Sequence, residues 1–354
     1  MLDHGGRIRQ AAERYGIPVD RWLDLSTGIN PESWPVPAIS AQCWHRLPEP
    51  DDGLDVAIHQ YYGVEPYQFQ AVAGSQSAIQ TLPSLRSKSR VTLLTPCYAE
   101  HAWAWQRNGH ELHQVSVDQF AAWTWVERQM ILDRSDVLII INPNNPTGHR
   151  LSPQELLACH ERLACRGGWL IVDEAFIDVT PSESIVSSVG VPGLFVLRSL
   201  GKYFGLAGAR VGFVFGQENI LQQMLELIGP WSIPGPSREI AKQALLDRCW
   251  QEQARFKLQR DSHRLEKLLA EKGLHSDGGT AFFRWLQHDN ASDIHEHLAR
   301  QGILTRYWHR DNSLRFGLPG IDSWHRLGLA LEDLGTLVQQ SDRPNRAEAD
   351  VAVG

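Results

Sequence analysis

Apolar residues along the chain form two kinds of segment, and their order predicts the fold. Short continuous apolar runs are typical of strands that are buried on both faces. They occur at residues 91–94, 137–141, 169–172, 195–197 and 211–215. Amphipathic segments at residues 54–62, 77–85 and 153–165 predict helices, with Ser152 as a possible N-cap of the third. This alternation predicts an α/β fold with a largely parallel sheet.

The C-terminal part of the chain has a different pattern. A long charged helix is predicted at residues 237–270, followed by a strand at 281–286, a helix near 292–301, a short strand at 314–317 and a last helix. These elements predict a smaller α+β domain. The domain organisation that we expect is an N-terminal arm with part of the smaller domain at 1–43, a large domain at 44–236, the rest of the smaller domain at 237–340 and a disordered tail at 341–354.

Composition and charge narrow the class of protein. The 354 residues include 34 Lys and Arg against 41 Asp and Glu, and 42% are hydrophobic. These values exclude whole-chain disorder and argue against nucleic acid or an anionic membrane as the main partner. No apolar run approaches the ~20 residues of a bilayer span, and the N-terminus has no signal-peptide core. We therefore expect a cytoplasmic protein with a small substrate and, from its His and Cys spacings, no metal.

Four polar motifs follow predicted strands or open predicted helices, where open α/β sheets bind ligands. The first is Ala-Gly-Ser-Gln-Ser at 73–77, a small-residue turn whose backbone N–H groups suit a phosphate. An ordinary capped helix start would have the same pattern. The second is Asn-Pro-Asn-Asn-Pro-Thr-Gly at 142–148. Its two Asn-Pro steps make a rigid turn that fixes an amide at the edge of the sheet.

The other two motifs supply a buried acid and a lysine. Asp173 ends the apolar run in Ile-Val-Asp-Glu-Ala-Phe at 171–176. A carboxylate there needs a positive partner, and a structural ion pair with an arginine is the alternative interpretation. Lys202 lies among glycine, aromatic and small apolar residues at 198–212. Partial desolvation would favour its nucleophilic amine form, whereas an ordinary surface lysine is the alternative.

A phosphate cradle, an amide facing an oxygen, an acid facing a ring cation and an imine-forming lysine are together what pyridoxal 5′-phosphate (PLP) requires. On these motifs the chain resembles the fold type I PLP enzymes. The resemblance is to the class I/II aminotransferase superfamily and its histidinol-phosphate aminotransferase branch, over residues 20–340. It implies a large domain with a mostly parallel mixed sheet between helices, a smaller α+β domain, and a homodimer.

The resemblance implies a role in cofactor binding for two groups of residues. Four would contact the ring system: Lys202 as the Schiff-base residue, Asp173 as the partner of the pyridinium nitrogen, Asn145 at the phenolic oxygen and Tyr98 stacked on the ring. The cofactor phosphate would be bound by the backbone N–H groups of Ser75 and Gln76, the Ser199 hydroxyl and Arg210. The resemblance thus assigns eight residues to the cofactor.

The substrate-binding residues follow from a narrower resemblance, to the threonine-phosphate decarboxylases of cobalamin biosynthesis. It rests on His-Gly-Gly at 4–6 and on the segments 22–31, 173–178 and 230–232. In that family the first segment, here His4, and an arginine matching Arg306 bind the substrate phosphate. The broader resemblance, to the class I/II aminotransferase superfamily, implies that Arg315 binds the substrate α-carboxylate through a bidentate pair. Without the resemblance, His4 would be interpreted as a disordered terminal residue and Arg306 as a surface charge.

Three positions depart from related patterns. Aminotransferase relatives usually have a tyrosine where Phe176 stands, and phenylalanine cannot hydrogen-bond to the PLP oxygen. Leu47 occupies the place of a tyrosine that in many relatives reaches the partner subunit's PLP phosphate. Gly28 replaces an asparagine near the substrate, so either its backbone N–H or the neighbouring Asn30 would take over.

The expected reaction is PLP-dependent decarboxylation of L-threonine O-3-phosphate to (R)-1-amino-2-propanol O-2-phosphate and CO₂. Either Lys202 or an ordered water would donate the proton to Cα. The main alternative is an aminotransferase acting on histidinol phosphate or a similar phosphorylated amine. A PLP-sensing regulator is a more distant alternative, because we expect no room for a DNA-binding domain in the roughly twenty residues before the first family motif.

Overall fold

The computed structural model describes residues 4–335, and the predicted tail at 341–354 lies outside them. The strands in this range are β1 (Leu23–Leu25), β2 (Phe69–Val72), β3 (Arg90–Thr95), β4 (Glu111–Ser116), β5 (Val137–Ile141), β6 (Trp169–Asp173), β7 (Leu194–Ser199), β8 (Gly212–Phe215), β9 (Gly278–Thr280), β10 (Phe283–Gln287), β11 (Ile303–Trp308) and β12 (Ser313–Gly317). The α-helices in this range are α1 (Ile8–Tyr15), α2 (Gln42–His45), α3 (Leu54–Tyr62), α4 (Ser75–Thr81), α5 (Ala99–Arg107), α6 (Val117–Ala122), α7 (Trp125–Leu132), α8 (Pro153–Ala164), α9 (Glu218–Ile228), α10 (Gly235–Leu246), α11 (Arg248–Glu271), α12 (Ala291–Arg300) and α13 (Trp324–Glu332).

The chain forms two compact units. Among the described residues, the smaller unit comprises 4–31 and 260–335, and the larger comprises 32–259. The boundaries therefore differ from the expected ones at 43/44 and 236/237. One reason is that α10 packs against α3 within the larger unit, where the Arg238 guanidinium donates to both carboxylate oxygens of Asp52 at 2.5 and 2.9 Å.

The larger unit contains a mixed, mostly parallel sheet, as predicted. Its strand order is β2-β8-β7-β6-β5-β3-β4. The five strands β3 to β7 are parallel to their neighbours among themselves, and β8 is antiparallel to both β7 and β2. Every residue of β5 and β6 is buried, because both faces of these strands are covered, as is usual for parallel sheets. One face packs on Ile79, Trp105 and Met224 from three helices.

Most elements of the larger unit follow the predicted pattern. The helix predicted at 54–62 is α3, and Gly63 ends it in the left-handed conformation at φ 70°. The helix predicted at 153–165 is α8, which begins with a capping box between Ser152 and Glu155. The helix predicted at 77–85 is shorter: α4 begins at Ser75, ends at Thr81 and continues as a 3₁₀ turn that contains Pro83.

The smaller unit contains a second sheet, in the order β1-β11-β12-β10-β9. Strand β1 is parallel to β11, and the other pairs are antiparallel. Helix α12 packs on β11, and the Ser262 hydroxyl of α11 donates to the Thr280 carbonyl of β9 at 2.9 Å. The continuous helix predicted at 237–270 is instead two helices, α10 and α11. Between them Asp247 leaves the helical conformation at ψ 77°, and its carboxylate accepts a hydrogen bond from the Trp250 N–H.

Over residues 4–335, no helix combines the length and the apolarity that a bilayer-spanning segment requires.

Candidate active site

The predicted cofactor residues lie where parallel strands of the larger unit end. Tyr98 follows β3, Asn145 follows β5, Asp173 ends β6, Ser199 ends β7, and Lys202 comes shortly after. Because these strands are neighbours and parallel, their carboxyl ends meet at one edge of the sheet. A cavity of about 140 Å³ opens there. It is lined by Ser75, Gln76, Tyr98, Ile141, Asn145, Asp173, Ala175, Phe176, Ser199, Lys202 and Arg210. All eight residues to which the sequence assigned a cofactor role are among them.

Asp173 is buried and held on both of its oxygens. Oδ2 lies 3.0 Å from Nε2 of His101, and Oδ1 accepts the backbone N–H of Ala175 at 3.1 Å. His101 belongs to α5 and is 1% exposed. The sequence predicted a positive partner for this acid but did not identify His101. The only sequence signal for His101 is its position three residues after Tyr98, in the first turn of the helix that follows.

An arginine, the alternative partner for Asp173, binds the neighbouring acids instead. The buried guanidinium of Arg198 on β7 donates to Glu174 at 3.0 Å and to Asp178 at 2.5 Å. The Tyr61 hydroxyl also donates to Asp178, at 2.9 Å. Burial raises the pKa of the Glu174 carboxyl, although Arg198 opposes the shift. This buried cluster links β7 to the segment that follows β6, so it lies next in sequence to Asp173 and a few residues before Lys202.

The start of α4 and the turn before β8 form a tight cradle. A Cβ atom on Gly74 would lie 2.4 Å from Nη2 of Arg210, and one on Gly212 would lie 2.2 Å from the backbone nitrogen of Ser75. Gly74 has a positive φ of 72°, and Arg210 adopts the left-handed conformation at φ 52°, which is uncommon for a residue with a side chain. The amide of Ser75, the Ser199 hydroxyl and a guanidinium therefore border one small space. Such a donor set fits a phosphate.

The rest of the cavity fits an aromatic ring with polar edges. Nζ of the half-buried Lys202 lies 5.6 Å from the centre of the Phe176 ring. The Tyr98 hydroxyl donates to Gln76 at 3.2 Å, and burial raises the pKa of Tyr98 to about 12. An acid, an amide, an aromatic side chain and an amine thus share one cavity with the phosphate cradle. This set of groups matches the chemistry of PLP.

A second cavity, of about 260 Å³, lies in the smaller unit and is strongly basic. His4 and Arg306 line it together with Gly5, Arg7, Gln10, Ala11, Arg14, Tyr15, Ser26, His295, Leu304, Thr305 and Tyr307. The His-Gly-Gly segment is fixed there. A Cβ atom on Gly5 would lie 2.3 Å from the Ser26 carbonyl oxygen, and the Gly6 N–H donates to the Ser26 hydroxyl at 2.7 Å. The close approach of the two segments explains why glycine follows His4.

The remaining predicted substrate residues also lie in the smaller unit. Arg315 is buried, and its guanidinium donates to the Ser26 carbonyl at 2.7 Å. Burial and the neighbouring Arg306 lower the pKa of Arg315 to about 9. Gly28 and Asn30 are buried in the loop after β1, and neither lines the two cavities described above.

Two of the known proteins that are similar to this chain in sequence have the same name. The chain is 51% identical to the threonine-phosphate decarboxylase of Pseudomonas aeruginosa, over 94% of this chain and 97% of the relative. It is 38% identical to the threonine-phosphate decarboxylase of a Sinorhizobium species, over 94% of each chain.

Solved structures share the fold. A histidinol-phosphate aminotransferase from Clostridium acetobutylicum has a TM-score of 0.77 at 21% identity, and covers 89% of this chain and 99% of its own. A histidinol-phosphate aminotransferase from Sinorhizobium meliloti, solved in complex with pyridoxal 5′-phosphate, has a TM-score of 0.75 at 17% identity, with coverage of 96% and 95%. These likenesses confirm the predicted fold class.

The family model for aminotransferase class I and II matches residues 30–332. That range includes every residue of the cavity in the larger unit, and the groups in that cavity fit the cofactor that the sequence predicted. The chain therefore belongs to the class I and II aminotransferase family of PLP-dependent enzymes.

Proposed function

We propose that this protein is a PLP-dependent decarboxylase that converts L-threonine O-3-phosphate to (R)-1-amino-2-propanol O-2-phosphate and CO₂ for cobalamin biosynthesis. The observation on which this depends most is the 51% identity, over nearly the full length of both chains, to a threonine-phosphate decarboxylase. The basic cavity with its fixed His-Gly-Gly segment supports a phosphorylated substrate. Phe176 stands where aminotransferase relatives usually have a tyrosine, and this difference supports a reaction other than transamination.

Bound PLP supplies an electron sink for the charge that remains on Cα after CO₂ leaves. Asp173 holds a proton on the ring nitrogen through a carboxylate that is itself fixed by His101 and the Ala175 N–H. The α4 cradle binds the phosphate with Ser75, Ser199 and Arg210. The role of these residues is to keep the cofactor in one orientation.

Lys202 Nζ is the proposed attachment point of the cofactor. It is also one of two candidates for donating the proton to Cα, the other being an ordered water. Its position against the apolar ring of Phe176 limits its contact with solvent. Loss of the carboxylate rather than of the Cα proton separates decarboxylation from transamination, and a proton delivered to Cα then completes the amine product.

The substrate has two anionic groups, and the smaller unit offers two arginines. We assign the α-carboxylate to Arg315 and the phosphate to Arg306 with His4. Guanidinium groups suit both anions because they can donate two parallel hydrogen bonds. Binding both ends of a small substrate restricts its rotation, and this restriction determines which bond at Cα can break.

We also propose that the protein is a homodimer in the cytoplasm. Three large apolar side chains of the larger unit support an interface, since Trp44, Leu47 and Trp231 are 69%, 62% and 59% exposed. The helix that contains Trp44 lies against the start of α10, where a Cβ atom on Gly235 would be 2.5 Å from the Cys43 carbonyl. Sedimentation of the holoenzyme at micromolar concentration tests the dimer, and a monomer would contradict it.

The function is tested by identifying the product and the attachment site. Wild-type holoenzyme should convert L-threonine O-3-phosphate to aminopropanol phosphate, detected by mass spectrometry. Lys202→Ala should abolish both the product and the PLP adduct that borohydride traps on the wild type. Lys257→Ala is a matched control, because Lys257 pairs with Glu32 and lies outside the cavity. An adduct retained in Lys202→Ala would place the attachment elsewhere.

A further inference from the structure

Two arginines lie directly opposite each other on the sheet of the smaller unit. In the antiparallel pair of β11 and β12, the register places Arg306 opposite Arg315. Side chains at such positions project to the same face, with Cβ atoms about 4.5–5.5 Å apart, and like charges there repel each other. Arg315 is buried, and burial strengthens the repulsion because it lowers the local dielectric constant. The Asp24 carboxylate offsets part of this repulsion at Arg315, and a feature in contact with both cations would offset more.

Trp308 provides that feature. It lies two residues after Arg306 on β11, so both side chains project to the same face. The centre of its indole ring is 5.2 Å from Cζ of Arg306 and 5.5 Å from Cζ of Arg315. Both distances are within the ~6 Å range in which an aromatic face attracts a cation. One ring therefore stabilises two guanidinium groups.

The two guanidinium groups have different surroundings. Arg315 also lies 4.9 Å from the centre of the Phe283 ring, on the neighbouring strand β10, and its Nη2 donates to the Ser26 carbonyl. Arg306 is half-buried and lines the basic cavity with His4. One arginine is thus enclosed by aromatic rings and the other borders a cavity, with Trp308 in contact with both.

We infer that Trp308 is a positioning residue, which keeps Arg306 and Arg315 as two separate anion sites and so sets the preference for a substrate with two anionic groups. The inference rests on the proposed function for the identity of that substrate. Trp308 acts through the two arginines and does not contact the reacting atoms. Without its ring, the two guanidinium groups repel each other and shift towards solvent, and the fixed spacing of the two anion sites is lost.

Steady-state CO₂ release from Trp308→Leu and Trp308→Phe tests this role. For Trp308→Leu we expect KM for L-threonine O-3-phosphate to rise about tenfold while kcat stays within about threefold, a change of ~1.4 kcal/mol in apparent binding. The preference for threonine phosphate over threonine should fall by about the same factor. Trp308→Phe should recover most of the loss, because phenylalanine keeps an aromatic face.

Trp103→Leu is the matched control. Trp103 lies on α5 of the larger unit and is 42% exposed, and its ring centre is 4.4 Å from Cζ of Arg107. This variant loses a comparable contact away from the arginine pair, so its KM should not change. Thermal unfolding and cofactor absorbance of all variants should match the wild type. Equal losses for threonine phosphate and threonine in Trp308→Leu would show that Trp308 does not set the preference for a second anionic group and would overturn the inference.

Calorimetric titration of the holoenzymes with inorganic phosphate separates this inference from the proposed reaction. Trp308→Leu should bind phosphate about tenfold more weakly than the wild type and Trp103→Leu. If the wild type releases no CO₂ but Trp308→Leu still binds phosphate more weakly, the proposed function would be wrong and the role of Trp308 would be supported. Equal phosphate affinity in the wild type and Trp308→Leu would overturn the inference, whatever the reaction.

Discussion

At the end of β6, the Asp173 carboxylate is 4% exposed and both of its oxygens have protein partners. A buried carboxylate costs several kcal/mol unless such contacts stabilise it. His101 therefore holds Asp173 at the edge of the cavity, where we propose that the carboxylate faces the ring nitrogen. It touches the acid and does not line the cavity, so we describe it as a positioning residue.

We predict that His101→Phe weakens PLP binding by about tenfold or more, because a hydrogen bond to a charged group contributes ~1.5–3 kcal/mol. The change should also alter the pH dependence of the cofactor absorbance, which a general loss of stability would not do. His101→Asn, which keeps a donor, should recover part of the affinity. The measurement is a spectroscopic titration of the apoenzyme with PLP. Unchanged affinity in His101→Phe would contradict the role.

The sequence predicted that Asp173 needs a partner but could not identify it. The chain has fifteen histidines, and nothing in their spacing distinguishes His101. Its contact with Asp173 depends on how α5 packs beside β6, which no local pattern reports. The sequence could bring the eight predicted cofactor residues to one cavity because seven lie in four motifs whose order along the chain is specific, and Tyr98 follows from the family resemblance. Their roles remain predictions until the variants are measured.

At the scale of elements, the Arg198 cluster holds two strand ends together. Arg198 is buried with both Glu174 and Asp178, and burial of a charge requires such pairing. The strand ends that it joins lead to Asp173 and Lys202. The precision of the site therefore depends on a cluster that does not line the cavity.

We predict that Arg198→Met lowers the free energy of unfolding by about 3–5 kcal/mol, because it leaves two buried carboxylates without their cation. Urea unfolding of the holoenzyme measures the change. Arg162→Met is the control, since the exposed pair of Arg162 and Asp133 should contribute little. Similar midpoints for Arg198→Met and the wild type would show that the cluster does not stabilise the fold.

A pH-dependent contribution to stability comes from Asp136, just before β5. Hydrogen bonds from Arg90 lower the pKa of Asp136 to about 2, from an ordinary value of 3.8. A lowered carboxyl pKa stabilises the fold above about pH 4, and this contribution is lost as the pH falls towards 2. Asp136→Asn should therefore be less stable than the wild type at pH 7, and the difference should narrow at pH 3. Denaturant midpoints at pH 7, 4 and 3 test this, and a constant difference would contradict it.

In the larger unit, the pattern of apolar residues predicted the strands that are almost wholly buried and missed those with more exposed residues. Strands β3 and β5 to β8 match continuous apolar runs. Strand β4 is an edge strand with mostly exposed residues, so it has no such run. The break between α10 and α11 was also missed. It depends on one residue, Asp247, whose neighbours on both sides favour helix.

At the scale of the molecule, the proposed substrate specificity depends on the smaller unit. We predict that Arg306→Ala and His4→Ala each reduce kcat/KM for L-threonine O-3-phosphate at least tenfold more than for threonine, which lacks the phosphate. Loss of one charge-assisted hydrogen bond to the phosphate is sufficient for a tenfold change in kcat/KM. Arg300→Ala is a control, because Arg300 pairs with Glu296 on the surface. Equal losses for both substrates would assign the two residues to folding or to carboxylate binding.

The sequence predicted the family and the division into two units. The order of the motifs along the chain is specific to the family, and it can be read without knowing how the helices pack. It could not show why glycine follows His4, since the reason is the approach of Gly5 to Ser26, twenty-one residues away. It also could not place the unit boundaries. They depend on the packing of α10 against α3, two segments far apart in sequence.

CO₂ release from L-threonine O-3-phosphate is the measurement that identifies the reaction. Purified, PLP-loaded protein should be given L-threonine O-3-phosphate, with histidinol phosphate plus 2-oxoglutarate in a parallel reaction. We expect CO₂ from the first substrate and no glutamate from the second. Glutamate without CO₂ would show that the enzyme is an aminotransferase and would contradict the account.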